Sequence, residues 1–253
     1  MANTKKVQDK VAIVTGGASG IGEATVLAFA ENGARGVVIA DIQDEKGQKL
    51  AESIGANRST YIHCDVTDEN KSNPSWNLLF NSTASSTHHE LWSANYSRPR
   101  PGLIRQTVCN KRSWCCSMPE ARGACDGEGV KGSVICSSST AANLVASTVT
   151  DYIMAKCGVV ALMKCASYQL GKHGIRVNCV SPGPVATPMV CEANNMGVEE
   201  LEKLFVSICC LKGVLKAKHI ADAVLFLAST DSEFVTGQNL MVDGGYAFQG
   251  AVN

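Results

Sequence analysis

The stretch KVAIVTGGASGIGEATVLAFAENGARGVVIAD, residues 10–41, decides the fold of this chain. Residues 11–14 form a continuous apolar run, which is typical of a parallel strand covered on both faces. Glycines follow, and the next apolar positions share one face of a predicted helix: Ile21, Ala24, Leu27 and Ala28. A second apolar run, residues 36–40, ends at Asp41. This order predicts a βαβ unit of an α/β, doubly wound parallel sheet.

The glycines between the first strand and its helix are a candidate phosphate-binding turn. In TGGASGIG, residues 15–22, they leave backbone N–H groups accessible at a helix N-terminus, where the helix dipole favours a pyrophosphate. Side chains at those positions would block the approach. An ordinary strand-to-helix turn is the alternative, because a lone glycine triplet is weak evidence.

Asp41 favours the dinucleotide interpretation. An acidic residue about 20 positions after such a turn binds the ribose hydroxyls of the adenosine. A carboxylate there also repels a 2′-phosphate, so Asp41 predicts NAD rather than NADP as the cofactor. An Asp at the end of a strand also caps the following turn in many proteins, and that alternative stays open.

The spacing T-G-x-x-x-G-x-G, with Gly16, Gly20 and Gly22, resembles the nucleotide loop of the short-chain dehydrogenases/reductases. The resemblance implies a single-domain, Rossmann-like fold over residues 1–253. It continues at the end of a predicted third strand, where Asp65 and Val66 match the adenine contacts of that family. It also implies further cofactor contacts from Ser19, Ile21, Ile42, Gly183, Tyr152 and Lys156.

A second group of residues indicates chemistry. Tyr152 and Lys156 are four residues apart on a predicted helix and therefore share a face, so the ammonium can favour the ionised phenol. Such a phenol exchanges a proton with a substrate hydroxyl or carbonyl. Ser139, thirteen residues before Tyr152 and just past a strand, can hold the same oxygen. A Tyr-x-x-x-Lys pair alone is weak evidence, but Ser139, Tyr152 and Lys156 together match the catalytic spacing of the resembled family.

The chain after residue 174 also resembles that family. Residues 175–180 predict a buried strand that ends in a Pro-Gly loop, and the resemblance assigns Val185 and Thr187 of this loop to the nicotinamide carboxamide. A strand exit stiffened by prolines is the structural alternative. Residues 190–214 are then expected to form a mobile substrate lid, and residues 217–229 and 238–248 a helix and a terminal strand.

Residues 71–128 do not fit this pattern. The family implies a helix, a fourth strand ending in N-N-A-G and a long helix with an active-site Asn, and none of these is legible here. All three tryptophans, four of the seven prolines and four of the twelve cysteines collect in the segment. The fourth strand and the following helix are therefore in doubt.

Three interpretations of the segment compete. A functional insertion is disfavoured, because the segment replaces part of the fold and does not add to it. A metal site has the right composition but no zinc spacing, and its candidate ligands are His88, His89, Cys109, Cys115, Cys116 and Cys125. A shifted reading frame is favoured, since it keeps the length, destroys periodicity and ends at a sharp border. No resident metal is expected.

The consequence expected from this segment is physical. Its cations, which include Arg98, Arg100 and Arg105, cannot replace apolar residues of a core, so the segment is expected to loop outward and leave the sheet incomplete. Poor solubility or inactivity would follow. Asn110 is a candidate for the active-site Asn that the resemblance implies. The alternative interpretation is that Asn110 is an exposed polar residue of an irregular loop.

Composition limits the partners. The 253 residues carry 23 Lys plus Arg and 23 Asp plus Glu, so no overall positive field exists to hold nucleic acid or an anionic membrane. No apolar run approaches the roughly 20 residues that cross a bilayer, and the first apolar run is too short for a signal peptide. A cytoplasmic location is expected. The twelve cysteines are scattered without a C-x-x-C pair and read mostly as buried free thiols.

These observations predict an NAD-dependent oxidoreductase that interconverts a hydrophobic secondary alcohol and its ketone. The outer thirds of the chain resemble plant terpenoid alcohol dehydrogenases of the borneol, isopiperitenol and momilactone type. The resemblance also implies a homo-oligomer, dimer or tetramer, built through the helices beside the fourth and fifth strands. The alternative is a catalytically impaired homologue that binds a dinucleotide or pairs with active subunits.

Overall fold

The structure is a computed structural model that describes residues 5–66, 90–94, 132–144 and 149–251. The strands of these ranges are β1 Val11–Thr15, β2 Gly36–Asp41, β3 Ser59–His63, β4 Glu90–Ala94, β5 Gly132–Ser137, β6 Ile175–Pro182 and β7 Asn239–Val242. The helices are α1 Gly20–Glu31, α2 Asp44–Ile54, α3 Thr150–Gly171, α4 Pro188–Asn194, α5 Val198–Ser207 and α6 Ala217–Ala228. Short 3-10 turns span Thr140–Asn143, Thr230–Ser232 and Tyr246–Ala251.

The described strands form one parallel sheet in the order β3-β2-β1-β4-β5-β6-β7. The chain runs outward from β1 to β3, returns to β4 beside β1, and then runs outward the other way. The change of direction between β1 and β4 is the switch point at which a doubly wound sheet opens a crevice at the carboxyl ends of its strands. The predicted α/β, doubly wound fold is confirmed.

The expectation of an incomplete sheet is wrong. Strand β4 lies within the anomalous segment, and it pairs in parallel with β1 from Val11 opposite Glu90 to Thr15 opposite Ala94. On its other side it pairs with β5, from Leu91 opposite Ser133 onward. The hydrogen bonds of a sheet join backbone groups, which every residue except proline carries in full. The short stretch ELWSA can therefore fill the place between β1 and β5. The helix expected after β4 lies outside the described residues.

The sheet is buried on both faces. Alternate residues of β1 face opposite sides: Ala12 and Val14 belong to a core cluster shared with α1 and α6, and Ile13 belongs to a second cluster with Val38. Helix α3 packs on the face opposite α1, where it buries Met163, Ala166 and Leu170 against β5 and β6. Two buried faces explain why the strands read as continuous apolar runs.

The buried face of α1 lies one position away from the apolar face that the sequence shows. The buried residues are Gly22, Thr25, Val26, Phe29 and Ala30. Leu27, which belongs to the predicted face, is exposed. The helix carries apolar residues on most of its surface, so the 3.6-residue period does not distinguish the two faces, and the large Phe29 and Val26 side chains occupy the core instead.

Helix α3 carries both an inner and an outer apolar surface. Tyr168 is 90% exposed and Met154 is also exposed, although both lie on the helix that buries Met163 on its inner side. None of the helices in the described ranges is long and apolar enough to cross a membrane.

Candidate active site

The glycine turn between β1 and α1 has a geometry that other residues cannot adopt. Gly16 and Gly20 lie in the left-handed region, with φ of 66° and 60°. A Cβ atom on Gly22 would lie 1.9 Å from the carbonyl oxygen of Gly16. The first amides of a helix have no partner within the helix, so this close turn presents N–H groups to a ligand. Half-buried Ser19 precedes α1, and Ile21 packs on the core.

The Asp41 carboxylate links the glycine turn to the end of β2. Asp41 is only 5% exposed, and its Oδ2 accepts a hydrogen bond from the Ala18 N–H at 2.9 Å. Its Oδ1 accepts from the Gln43 N–H at 3.0 Å, so Asp41 also caps its own turn, as the alternative interpretation held. The Gln43 side-chain amide lies between Asp41 Oδ1, at 3.4 Å, and Ser19 Oγ, at 3.3 Å. A carboxylate has about four acceptor positions, and the three donors named here leave capacity for one ribose hydroxyl.

The carboxyl ends of β2 and β3 lie beside each other. Ile42 is 57% exposed and Val66 is also exposed, so both side chains are accessible to a ligand at this edge of the sheet. Half-buried Asp65 lies between Val66 and Cys64. Burial, with smaller contributions from the Asp65 and Asp41 carboxylates, raises the pKa of Cys64 to about 11. This thiol therefore stays neutral, and the exposed surface beside it is apolar.

Ser139 begins the 3-10 turn that follows β5. Its Oγ accepts a hydrogen bond from the Ala141 N–H at 3.2 Å, which leaves the hydroxyl proton able to donate to another oxygen. The next residue, Thr140, donates from Oγ1 to the carbonyl of Pro182 at 3.2 Å. Ser139 is thereby fixed at the carboxyl end of the sheet, beside the end of β6.

Helix α3 places Lys156 and Tyr152 against the same strand end. The Lys156 Nζ donates to the Ser137 carbonyl at 3.0 Å and lies 5.6 Å from the centroid of the Tyr152 ring. Lys156 is 3% exposed, whereas Tyr152 is half-buried and reaches solvent. Ser138 Oγ donates to the Lys156 carbonyl at 3.1 Å and ties the helix to β5. The predicted shared face of Tyr152 and Lys156 is therefore present.

Two thiols lie between the sheet and α3 near this lysine. Cys136 and Cys179 are directly opposite each other on β5 and β6, and both are buried and free. A hydrogen bond with Cys136, followed by burial, raises the pKa of Cys179 well above its ordinary value, and the nearby Lys156 charge only partly opposes this. Cys179 therefore stays a neutral thiol beside the Lys156 ammonium.

The loop after β6 contacts the glycine turn. A Cβ atom on Gly20 would lie 3.4 Å from the Thr187 side chain, so these two segments are neighbours across the crevice. Val185 and Thr187 are buried, and Thr187 precedes α4. Gly183 packs on Asp243, because a Cβ there would lie 2.7 Å from Asp243 Cα. The residues assigned to pyrophosphate and nicotinamide thus line one continuous edge.

Some predicted site residues lie outside the described ranges. Asn110 is one, and the six histidines and cysteines of the candidate metal site are the others. In the ranges that are described, no cluster of three metal-ligating side chains occurs. The predicted lid begins with α4 and α5, whose Met189 and Leu204 are exposed and not part of the core.

Sequence reasoning missed two residues that support the site. Gln43 bridges Asp41 and Ser19, and its position two residues after Asp41 is the signal that could have found it. Ser138 holds α3 against β5, but the run of three serines at 137–139 gives no means of choosing among them from sequence.

Family comparisons agree with this geometry. A family model described as "short chain dehydrogenase" matches residues 10–76, and one described as "Enoyl-(Acyl carrier protein) reductase" matches residues 98–247. The interval between the two matches, residues 77–97, is shorter than the 71–128 segment that lacks the family's motifs.

Whole-chain relatives extend the comparison. The chain is 44% identical over 97% of its length to (-)-isopiperitenol/(-)-carveol dehydrogenase, mitochondrial, of Mentha piperita, covering 96% of that protein. It is 38% identical over 96% of its length to momilactone A synthase of Oryza sativa subsp. japonica, covering 92% of that protein. The crystal structure of carveol dehydrogenase from Mycobacterium avium in complex with NAD superimposes with a TM-score of 0.82 at 25% identity, over 97% of this chain and all of that one. The chain therefore belongs to the short-chain dehydrogenase/reductase family.

Proposed function

We propose that the protein is an NAD-dependent alcohol dehydrogenase that interconverts a hydrophobic secondary alcohol, of the terpenoid class, and its ketone. The observation that carries this proposal is the placement of Ser139, Tyr152 and Lys156 at the end of β5, on the same sheet edge as the glycine turn. The dehydrogenase relatives support the reaction class.

The described residues fit a dinucleotide. The glycine turn forms a cradle that a Cβ on Gly22 would fill, and Asp41 offers carboxylate oxygens beside it. Gly16, Ser19, Gly20 and Ile21 would hold the pyrophosphate side, and Asp41 with Ile42, Asp65 and Val66 the adenosine side. Gly183, Val185 and Thr187 would border the nicotinamide. Bound NAD would supply the hydride acceptor.

Proton transfer falls to the residues at the end of β5. Ser139 Oγ donates a hydrogen bond that holds the substrate oxygen, since the bond that it accepts from the Ala141 N–H leaves its hydroxyl proton free to donate. The Tyr152 phenolate takes the hydroxyl proton while the carbon gives up its hydride, and the ketone forms. The buried Lys156 ammonium lies close to the Tyr152 ring, so a positive charge is held beside the group that takes the proton.

The substrate preference rests on the lid. Helices α4 and α5 follow the nicotinamide loop, and they present apolar side chains to solvent, Met189 and Leu204 among them. Exposed apolar groups beside a polar catalytic centre suit a substrate with one hydroxyl on a hydrocarbon frame.

The test of the function separates binding from turnover. Titration of the purified protein with NADH, followed by its fluorescence, reports cofactor binding, and NADH formation from carveol or isopiperitenol with NAD reports catalysis. Binding with turnover supports the proposal. Binding without turnover on any secondary alcohol supports the rival function, a homologue that binds a dinucleotide or pairs with active subunits. Absence of binding overturns the proposal and the dinucleotide-binding form of the rival, and leaves only a subunit that pairs with active ones.

Cofactor preference gives a first prediction. Asp41→Ser with Ile42→Arg removes a carboxylate and adds a guanidinium at an exposed neighbour, and a charged hydrogen bond contributes about 1.5–3 kcal/mol. The ratio of NADPH to NADH affinity should therefore rise by roughly tenfold to a hundredfold. Glu45→Ser, which removes an exposed carboxylate from the first turn of α2, is the control and should leave the ratio unchanged. A parent protein that already prefers NADPH would contradict the role given to Asp41.

The anomalous segment gives a second prediction. A chimera in which residues 71–128 are replaced by the aligned segment of the peppermint relative should bind NADH like the parent, because the glycine turn and Asp41 are unchanged. Its turnover should rise by up to about 100-fold, the scale of a misplaced active-site group. Equal turnover of parent and chimera, with equal cooperative thermal melts, would reject the shifted-frame interpretation.

Assembly and location complete the proposal. The protein acts as one domain over residues 1–253 and as a homo-oligomer, and the exposed Tyr168 and Met154 on α3 support association through this helix. Light scattering after gel filtration should give a dimer or tetramer mass. We also propose a cytoplasmic location, and a fluorescent fusion found in mitochondria would contradict it.

A further inference from the structure

Two neighbouring thiols near the lid helices have no part in the proposed reaction. Cys209 and Cys210 follow α5 as adjacent residues, and both face the same turn of the chain, at Asp243–Gly244–Gly245. The Cys209 Sγ donates to the Asp243 carbonyl at 3.5 Å, and the Cys210 Sγ donates to the Gly245 carbonyl at 3.3 Å. Both are free thiols, with Cys209 half-buried and Cys210 exposed.

The turn is built to receive these sulfurs. Gly244 and Gly245 have φ of 61° and 81°, and a Cβ on Gly245 would lie 2.9 Å from Cys210 Cβ and 3.0 Å from its sulfur. The Leu211 N–H donates to the Gly244 carbonyl at 2.9 Å and fixes the segment 209–211 on the turn. Burial, then the Asp243 carboxylate and Cys210, raises the pKa of Cys209, so that its sulfur is a protonated donor at neutral pH.

The turn connects this dithiol to the candidate active site. The Asp243 backbone also packs on Gly183, the residue that precedes the nicotinamide loop. The Gly183 N–H also donates to the Val242 carbonyl at 3.0 Å. Segment 209–211 is therefore the point at which the chain leaving the lid helices α4 and α5 is attached to the floor of the site.

We propose that Cys209 and Cys210 form a dithiol site for trivalent arsenic, and that its occupation detaches segment 209–211 from the turn and lowers turnover. The reaction with phenylarsine oxide replaces the arsenic–oxygen bond with two arsenic–sulfur bonds, and the two thiol protons leave with the oxygen as water. No oxidant is needed. Both sulfurs must turn toward one arsenic atom, so they give up the Asp243 and Gly245 carbonyls.

Cys115 and Cys116 are also adjacent and are a second dithiol that can bind arsenic, so both are first replaced by serine. In a Cys115→Ser/Cys116→Ser background we expect one arsenic per chain, with release by dithiothreitol and not by a monothiol. Cys210→Ser in that background should weaken binding by about 100-fold, since two linked bonds exceed one by roughly 10²–10⁴. Cys165→Ser, which removes an exposed thiol from α3, should leave binding unchanged.

Two readouts make the test decisive. Hydrogen exchange measured by mass spectrometry should rise in peptides covering 209–216 and 239–248 when arsenic binds, and stay constant in α2. This readout is independent of catalysis, whereas the loss of turnover rests on the proposed function. Arsenic located by mass spectrometry on cysteines other than 209 and 210 in the Cys115→Ser/Cys116→Ser chain, or bound at 209–210 without a rise in exchange, would overturn the proposal. With an active preparation, unchanged turnover at full occupancy would overturn the coupling.

Discussion

Replacing Tyr152 by Phe is expected to reduce turnover by roughly 10²-fold or more while NADH affinity stays nearly constant. The substitution removes only the phenol oxygen, which is the atom that exchanges a proton with the substrate. The ring stays, and with it the packing of the Lys156 ammonium at 5.6 Å from the ring centroid. Steady-state turnover with a secondary alcohol and fluorescence titration with NADH measure the two quantities.

Tyr168→Phe is the matched control for this experiment. Tyr168 lies on the same helix and loses the same oxygen, but it is 90% exposed on the outer surface. Its turnover should equal that of the parent. Equal turnover of the Tyr152→Phe variant would remove Tyr152 from the mechanism, and a loss of NADH binding would give it a structural role instead.

The parts of the fold that could be predicted are those that local chemistry determines. The strand at residues 11–15 has apolar residues on both of its faces, and the turn after it needs glycine at positions where a Cβ has no room. Tyr152 and Lys156 are related by one helical turn, so their shared face follows from spacing alone. Each of these inferences uses residues fewer than ten positions apart.

The parts that could not be predicted depend on distant contacts. The inner face of α1 is set by packing against α6, which follows about 190 residues later, and its own apolar pattern is ambiguous. Strand β4 pairs with β1 on one side and β5 on the other, and without it the facing backbone groups of both strands would have no partners. The sequence of residues 90–94 alone does not predict this strand. Gln43 and Ser138 join elements whose approach is a property of the folded chain.

The candidate site shows the same division. The position of Asp41 at the end of a strand predicted either a ribose contact or a cap of the following turn. In the structure its carboxylate accepts from the Gln43 N–H, which caps that turn, and from the Ala18 N–H of the glycine turn. The sequence could not predict the contact between Gly20 and Thr187, because the strands β2 to β6 lie between these two residues along the chain. That contact is what brings the two halves of the proposed cofactor site to one edge.

Gly22→Ala is expected to abolish measurable NADH binding and lower the melting temperature. The added Cβ would lie 1.9 Å from the Gly16 carbonyl oxygen, which is a backbone atom that no side-chain rotation can move away. Overpacking of this kind costs typically about 1–3 kcal/mol and sometimes more. Ala has a better helix propensity than Gly by about 0.8–1.0 kcal/mol, which opposes the clash but does not outweigh it.

The binding loss should exceed the stability loss, because relief of the clash requires the turn to open. Opening moves the N–H groups that would hold the pyrophosphate, and each 1.4 kcal/mol lost corresponds to about tenfold in affinity. Gly36→Ala is the control: its Cβ would meet no atom within 4 Å, so both NADH affinity and melting temperature should match the parent. Unchanged NADH affinity in a folded Gly22→Ala protein would place the cofactor elsewhere, since a displaced turn cannot hold a pyrophosphate at the N-terminus of α1.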